Sequence, residues 1–124
     1  MALPIGRVVQ VAADKQHNFS KKPVREIRLL KDLGVEGDAH CGKEVKHRSR
    51  VAINPDQPNL RQVHLFAVEI LDELSKKGFP VKPAELGENI TTSGLDYDYL
   101  PRNTLIMIGE SARLLVTGLR NPCR

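Results

Sequence analysis

Tryptophan is absent from this sequence, and only two tyrosines and three phenylalanines are present. Single-stranded nucleic acid is usually held by aromatic stacking beside a basic groove, so a composition this poor in rings does not suggest that partner. Cysteine is also scarce. Cys41 and Cys123 lie far apart and do not make a disulfide framework. They are also too few for an iron–sulfur cluster, which takes four thiolates. No stretch reaches the ~18–20 apolar residues of a membrane span. The first residues mix apolar side chains with Gly6, Arg7 and Gln10 and reach Asp14 and Lys15 without the uninterrupted apolar run of a secretory signal. The expectation is a soluble, cytoplasmic chain with no membrane partner.

What is present fits one domain spanning residues 1–124, with 40% hydrophobic and 27% charged residues. Nineteen Lys and Arg against 15 Asp and Glu give a net charge of +4. That balance favours anionic partners, phosphorylated cofactors among them.

Hydrophobic patterning predicts strands over Leu3–Ala12 and Val24–Leu30, separated by a polar loop that ends in Ser20-Lys21-Lys22-Pro23. Gly34 and Gly37 break regular structure, and Asp38–Asn59 reads as a long, ligand-facing or mobile loop. A helix is predicted over Phe66–Lys77, where Ala67, Ile70, Leu71 and Leu74 make one apolar stripe. Gly78 suits its C-terminal cap, with Pro80 beyond. Asn89–Thr92 reads as a short strand. Thr104–Ile108 and Ala112–Leu119 read as a hairpin across Gly109-Glu110-Ser111. The fold class expected is therefore β-rich, mainly β with one or two helices, arranged as a barrel or a mixed α+β domain.

Four segments carry candidate chemistry. Gly37-Asp38-Ala39-His40-Cys41-Gly42 offers metal-ligand side chains, but without structural zinc spacing it also reads as a glycine-bent polar loop. The basic run Lys46, His47, Arg48, Arg50, followed by Arg61 and His64, suits phosphate, which the planar guanidinium grips at two points; it also suits a solvated face. In Leu86-Gly87-Glu88-Asn89-Ile90, a bent backbone can expose Glu88 and Asn89 for hydrogen bonding, or simply turn into a strand. In Arg120-Asn121-Pro122-Cys123, flanking arginines lower the thiol pKa, so Cys123 is either a reactive thiolate or an inert cysteine.

Taken in order, these pieces resemble the MOSC domain, the module named after the C-terminal part of molybdenum cofactor sulfurases. The matching residues are Gly34-Val35-Glu36-Gly37-Asp38-Ala39-His40, Arg61-Gln62-Val63-His64-Leu65, Glu85-Leu86-Gly87-Glu88-Asn89-Ile90, Gly94-Leu95-Asp96, Leu100-Pro101 and Arg120-Asn121-Pro122-Cys123. With no ferredoxin-like or aminotransferase-like domain attached, the chain looks like the stand-alone bacterial type, and pyridoxal phosphate is not expected.

The resemblance implies a MOSC-like β-barrel that binds molybdenum cofactor, molybdopterin with Mo. Family members continue past the matching cysteine whereas this sequence stops at Arg124, so the barrel expected is shortened at its C-terminus. Cys123 is implied as the molybdenum ligand and catalytic thiol, or as the carrier of a persulfide sulfur. Arg48, Arg50, Arg61 and His64 would serve the cofactor's phosphate. Glu88 and Asn89 would meet the pterin edge, and Arg120 and Asn121 would stand beside the thiolate. Cys41 is read as incidental. The function implied is a small reductase of N-hydroxylated compounds or a cofactor- or sulfur-handling protein. The alternative is a non-catalytic carrier, and behind it a basic barrel binding nucleic acid, which is not expected. A separate electron-donor protein or sulfur donor is the implied partner.

Overall fold

The computed structural model describes residues 4–16, 20–42 and 61–118. Its strands are β1 (Arg7–Ala13), β2 (Lys22–Val24), β3 (Leu29–Leu30), β4 (Gly34–Val35), β5 (Leu65–Ala67), β6 (Ile90–Ser93), β7 (Leu105–Ile108) and β8 (Ala112–Leu115). Among the described residues one α-helix, α1 (Val68–Lys76), follows β5 directly, and a 3-10 turn spans Tyr97–Tyr99. Over the described residues the chain is mainly β with one helix, as the composition and patterning led one to expect.

The strands fall into a four-stranded sheet in the order β2-β1-β6-β5 and two ribbons, β3-β4 and β7-β8. β1 is central. It runs antiparallel to β2, with Ala12 opposite Pro23, and antiparallel to β6, with Val11 opposite Ile90. A register shift between Val8 and Gln10 bulges the β1–β6 pair, which bends the strand locally. β5 lies parallel to β6, with Leu65 opposite Ile90. A parallel pair needs a long crossover, and α1 is its helical part.

α1 is shorter than its apolar stripe predicts. Phe66 and Ala67 lie in β5, and Ala67 is extended at φ −85°, ψ 127°. Ladder pairing to Thr91 and Thr92 outweighs the helical periodicity at these two residues. The other end behaves as its sequence predicts. Gly78, at φ +92°, follows the cap residue Lys77. Its N–H donates to Ser75 O at 3.1 Å, and Phe79 N–H donates to Leu74 O at 2.9 Å. That bonding is a Schellman motif. Leu71 is the buried residue of the helix, whereas Ile70 is exposed.

The strand predicted over Val24–Leu30 is divided in two. β2 pairs with the end of β1, while β3 folds back on β4, so residues 25–28 bridge two different sheets. Alternation alone carries no mark of that change of partner. At the next turn, Asp38 N–H donates to Val35 O at 3.0 Å with Gly37 at φ +79°. This is a type II turn, whose third residue must be left-handed. Gly34 answers to space as well as torsion: a Cβ there would stand 2.8 Å from Gln62 O at φ +123°. β4 therefore lies hard against the segment that leads into His64.

Candidate functional site

Among the described residues, the buried hydrophobic side chains are mostly small, while the buried polar ones are Asp14, Lys21, Asp38, His40, His64, Glu88, Asn89, Thr91 and Thr92. Buried polar groups persist only when they are paired, so this clustering marks a built network. Most of it gathers where β1 ends and where β5 and β6 begin.

Asp38 lies at its centre. Its Oδ1 accepts from Lys21 Nζ at 2.8 Å and from Asp14 N–H at 3.0 Å; its Oδ2 accepts from His40 N–H at 3.2 Å. Burial pushes the carboxyl pKa up. Hydrogen bonds from His40, Lys21 and the Asp14 backbone, together with the Lys21 charge, outweigh that and hold it well below the usual carboxylate range. The His40 ring meets the His64 ring edge to face, with centroids 4.7 Å apart and planes at 61°.

Asn89, which has no exposed surface, clamps His64 in place. Its Oδ1 accepts from His64 N–H at 3.0 Å, and its own N–H donates to His64 O at 2.8 Å. Its Nδ2 donates to Ala12 O at 3.1 Å, while Ala12 N–H donates to Asn89 O at 2.8 Å. One side chain thus ties β1, β6 and the residue before β5 together. Glu88, 1% exposed, accepts from Thr91 Oγ1 at 2.9 Å through Oε2; its Oε1 has no donor among the described residues.

A cleft of about 1540 Å³ opens between the sheet and the β7–β8 ribbon. Ile90 and Leu65 line one side and Ile106 and Leu114 the other, with Arg61 and His64 also on its wall. Its charged lining is mostly cationic: Arg25, Arg28, Lys31, Arg61, Arg102 and Arg113 against Glu26 and Asp32. Tyr97 also faces the cleft, its phenol hydrogen-bonded to the Thr92 hydroxyl. Burial raises the Tyr97 pKa against the lowering effect of that bond, and the Glu69 and Glu88 carboxylates add to the rise. The group therefore enters the cleft as a neutral phenol.

Of the sequence-predicted residues, Arg61 and His64 reach the cleft wall, whereas Glu88 and Asn89 are buried and do not line it. Arg48, Arg50, Arg120, Asn121 and Cys123 lie outside the described residues. Cys41 is half-buried and unbridged. Among the described residues no three His, Cys, Asp or Glu side chains group as a metal set. Asp38 and His40 serve the buried network instead. Sequence reading missed Lys21, which it placed at the end of a polar loop. Lys21 is 6% exposed while Lys22 beside it is exposed, and nothing in a Lys-Lys pair tells which one turns inward.

Comparison with known proteins places this arrangement. The family model of the MOSC domain matches residues 35–124. This chain belongs to the MOSC domain family. The matched region carries Asp38, His40, His64, Glu88, Asn89 and Cys123, so the MOSC segment supplies most of the polar network. Lys21 and β1 precede it. The crystal structure of the YuaD protein from Bacillus subtilis is similar over 98% of this chain and 71% of its own, with a TM-score of 0.76 and 25% identity. β1 and β2 thus belong to the same MOSC-like fold. No curated protein matches the chain. Among the described residues no helix is long and apolar enough to cross a membrane.

Proposed function

We propose that this MOSC-domain protein binds molybdenum cofactor at the His64 end of the cleft and uses it to reduce N-hydroxylated compounds. The observation that carries the reading is the cationic bias of the cleft's charged lining, with Arg61 and His64 on the wall. Such a lining attracts a phosphorylated ligand, and guanidinium groups bind phosphate in a bidentate fork.

Glu88 Oε1 is a buried acceptor that lacks a donor among the described residues, of the kind the N–H donors of a pterin would suit, but Glu88 does not line the cleft, so the fit rests on the cationic wall. Asn89 contributes mainly by holding His64, since both ends of its amide already bond backbone. Cys123 supplies the soft thiolate ligand that molybdenum favours, and Arg120 and Arg124 beside it in sequence favour the thiolate form. When bound, the cofactor supplies two-electron redox chemistry. Arg48 and Arg50 add positive charge for the phosphate, and Arg120 and Asn121 stand next to the thiolate in sequence.

In this reading electrons come from a separate donor protein. A free thiol in this role suits the reducing cytoplasm, which we take as its compartment. A carrier of cofactor or of persulfide sulfur would use the same Cys123 thiolate.

The test is molybdenum and pterin content in a host that makes the cofactor, for the wild type beside Cys123→Ser. Stoichiometric metal in the wild type, lost in the variant, is the expected result. Equal metal in both would remove Cys123 as the ligand. No metal in either, with a persulfide on Cys123, would replace the reductase by a sulfur carrier.

A further inference from the structure

Alternate residues of a strand share a side, so β6 turns Ile90 and Thr92 to one face. Ile90 lines the cleft, and the Thr92 hydroxyl meets the phenol of Tyr97, which lines it too. His64 stands at the other end of this wall. Its carbonyl accepts from the Asn89 and Ile90 N–H groups, and Leu65 after it pairs with Ile90, whereas Ala67 pairs with Thr92. The levels of His64 and Tyr97 along β6 thus differ by two to three residues, roughly 7–10 Å of strand.

Two hydroxyls meet at Thr92 and Tyr97, and each carries one hydrogen. One hydrogen makes the bond between them, and the other needs an acceptor elsewhere. Thr92 is 3% exposed, and among the described residues its hydroxyl bonds Tyr97 alone. Were Tyr97 the donor, the Thr92 hydrogen would be buried without an acceptor, which costs more than a typical hydrogen bond returns. Thr92 therefore donates, and the Tyr97 hydrogen is left for the cleft. Burial raises the Tyr97 pKa, and Glu69 and Glu88 add to the rise against the effect of the Thr92 bond, so the phenol keeps that hydrogen at neutral pH.

We infer that Tyr97 is the substrate-binding donor of the cleft: its hydroxyl bonds the N–O oxygen of a substrate whose apolar body lies among Ile90, Leu100, Ile106 and Leu114. The inference deepens the function proposed above and rests on it for the kind of substrate. An amine N-oxide oxygen accepts hydrogen bonds and carries no hydrogen of its own, so it suits a phenol that presents a donor. Arg61 and His64 mark the end of the wall that takes the phosphorylated cofactor, and Tyr97 marks the stretch that takes the substrate.

The probe is 4-phenylpyridine N-oxide, an apolar ring compound with an N–O oxygen and no N–H or O–H. It is titrated into the full chain, free of molybdenum and labelled with 13C-tyrosine. The chain has two tyrosines, so Tyr99→Phe assigns both Cζ resonances. The Tyr97 resonance should move with the probe while that of Tyr99, which is exposed, stays. Tyr97→Phe keeps the ring and should weaken binding about tenfold, the equivalent of one hydrogen bond, whereas Thr92→Val should leave it within about twofold. A Tyr97 resonance indifferent to the probe overturns the inference with no variant needed, and so does undiminished binding by a folded Tyr97→Phe protein. Tighter binding by Thr92→Val would mean that Tyr97 had been donating to Thr92, and it also overturns the inference. Molybdenum content, measured on protein from a host that makes the cofactor, keeps the two ideas apart. Probe binding through Tyr97 without molybdenum refutes the cofactor reading alone, and molybdenum without probe binding at Tyr97 refutes this inference alone.

Discussion

Replacing Asn89 by alanine removes a side chain that is wholly buried and bonded at both ends. The truncation deprives the His64 N–H and the Ala12 carbonyl of that side chain, and each buried polar group left unsatisfied costs about 1–3 kcal/mol. Neither group gains water easily, because both residues are buried. Partial relaxation keeps the sum below the full total, so about 3 kcal/mol is expected. Urea unfolding measures it. For a chain of this size the slope is about 1–3 kcal/mol per molar, so the midpoint should fall by about 1–3 M with the slope unchanged. Asn89→Asp separates the two bonds, because it retains an acceptor for His64 N–H but turns a carboxylate oxygen toward the Ala12 carbonyl. It should therefore be destabilised more at neutral pH than in mild acid. A loss under about 1 kcal/mol for Asn89→Ala, smaller than even one unsatisfied buried group, would refute the clamp. It would also return the amide to the ligand-facing role that its sequence context first suggested.

Acid should act through Asp38. Its folded pKa is held below the ordinary carboxylate range, so the unfolded chain binds the proton first as pH falls. The stabilisation is complete above about pH 5 and drains away below the unfolded carboxylate pKa of ~3.9. Stability measured across this range should fall more steeply in the wild type than in Asp38→Asn, and parallel curves would count against the buried ion pair. Gly34→Ala forces a Cβ to within 2.8 Å of Gln62 O in a left-handed backbone. Strain at one such residue is of order 1–3 kcal/mol, and thermal unfolding of the variant should show at least that loss; an unchanged midpoint would mean that β4 and the Gln62 segment separate freely.

The sequence made the helix legible because a stripe at Ala67, Ile70, Leu71 and Leu74 has no other simple reading. Its cap was legible because Gly78 and Pro80 admit few alternatives. Its start was not, since the parallel pairing of β5 to β6 depends on residues more than twenty positions away. The β7–β8 hairpin was placed within a few residues by alternation around Gly109. The division of Val24–Leu30 stayed hidden because period-two patterning does not tell which sheet a residue joins. At the site, His64, Glu88 and Asn89 could be singled out by type and order. That Asn89 would bond backbone at both ends of its amide could not, because Ala12 is 77 residues distant. Lys21 was hidden for the same reason, as its partner Asp38 reaches it only after β3 and β4 have folded back.

The Asn89 bond to Ala12 links the first strand to the sixth. A contact closing so long a loop is among the slower ones for a chain to make. The histidine pair and its supports therefore come into being with the whole sheet, and no short fragment contains them. Whatever binds at His64 recognises the assembled chain and not the unfolded one, so its binding energy adds to global stability in proportion to the logarithm of ligand concentration. Occupancy and resistance to proteolysis should rise together in this protein, which makes the cleft's ligand a determinant of how long the chain survives.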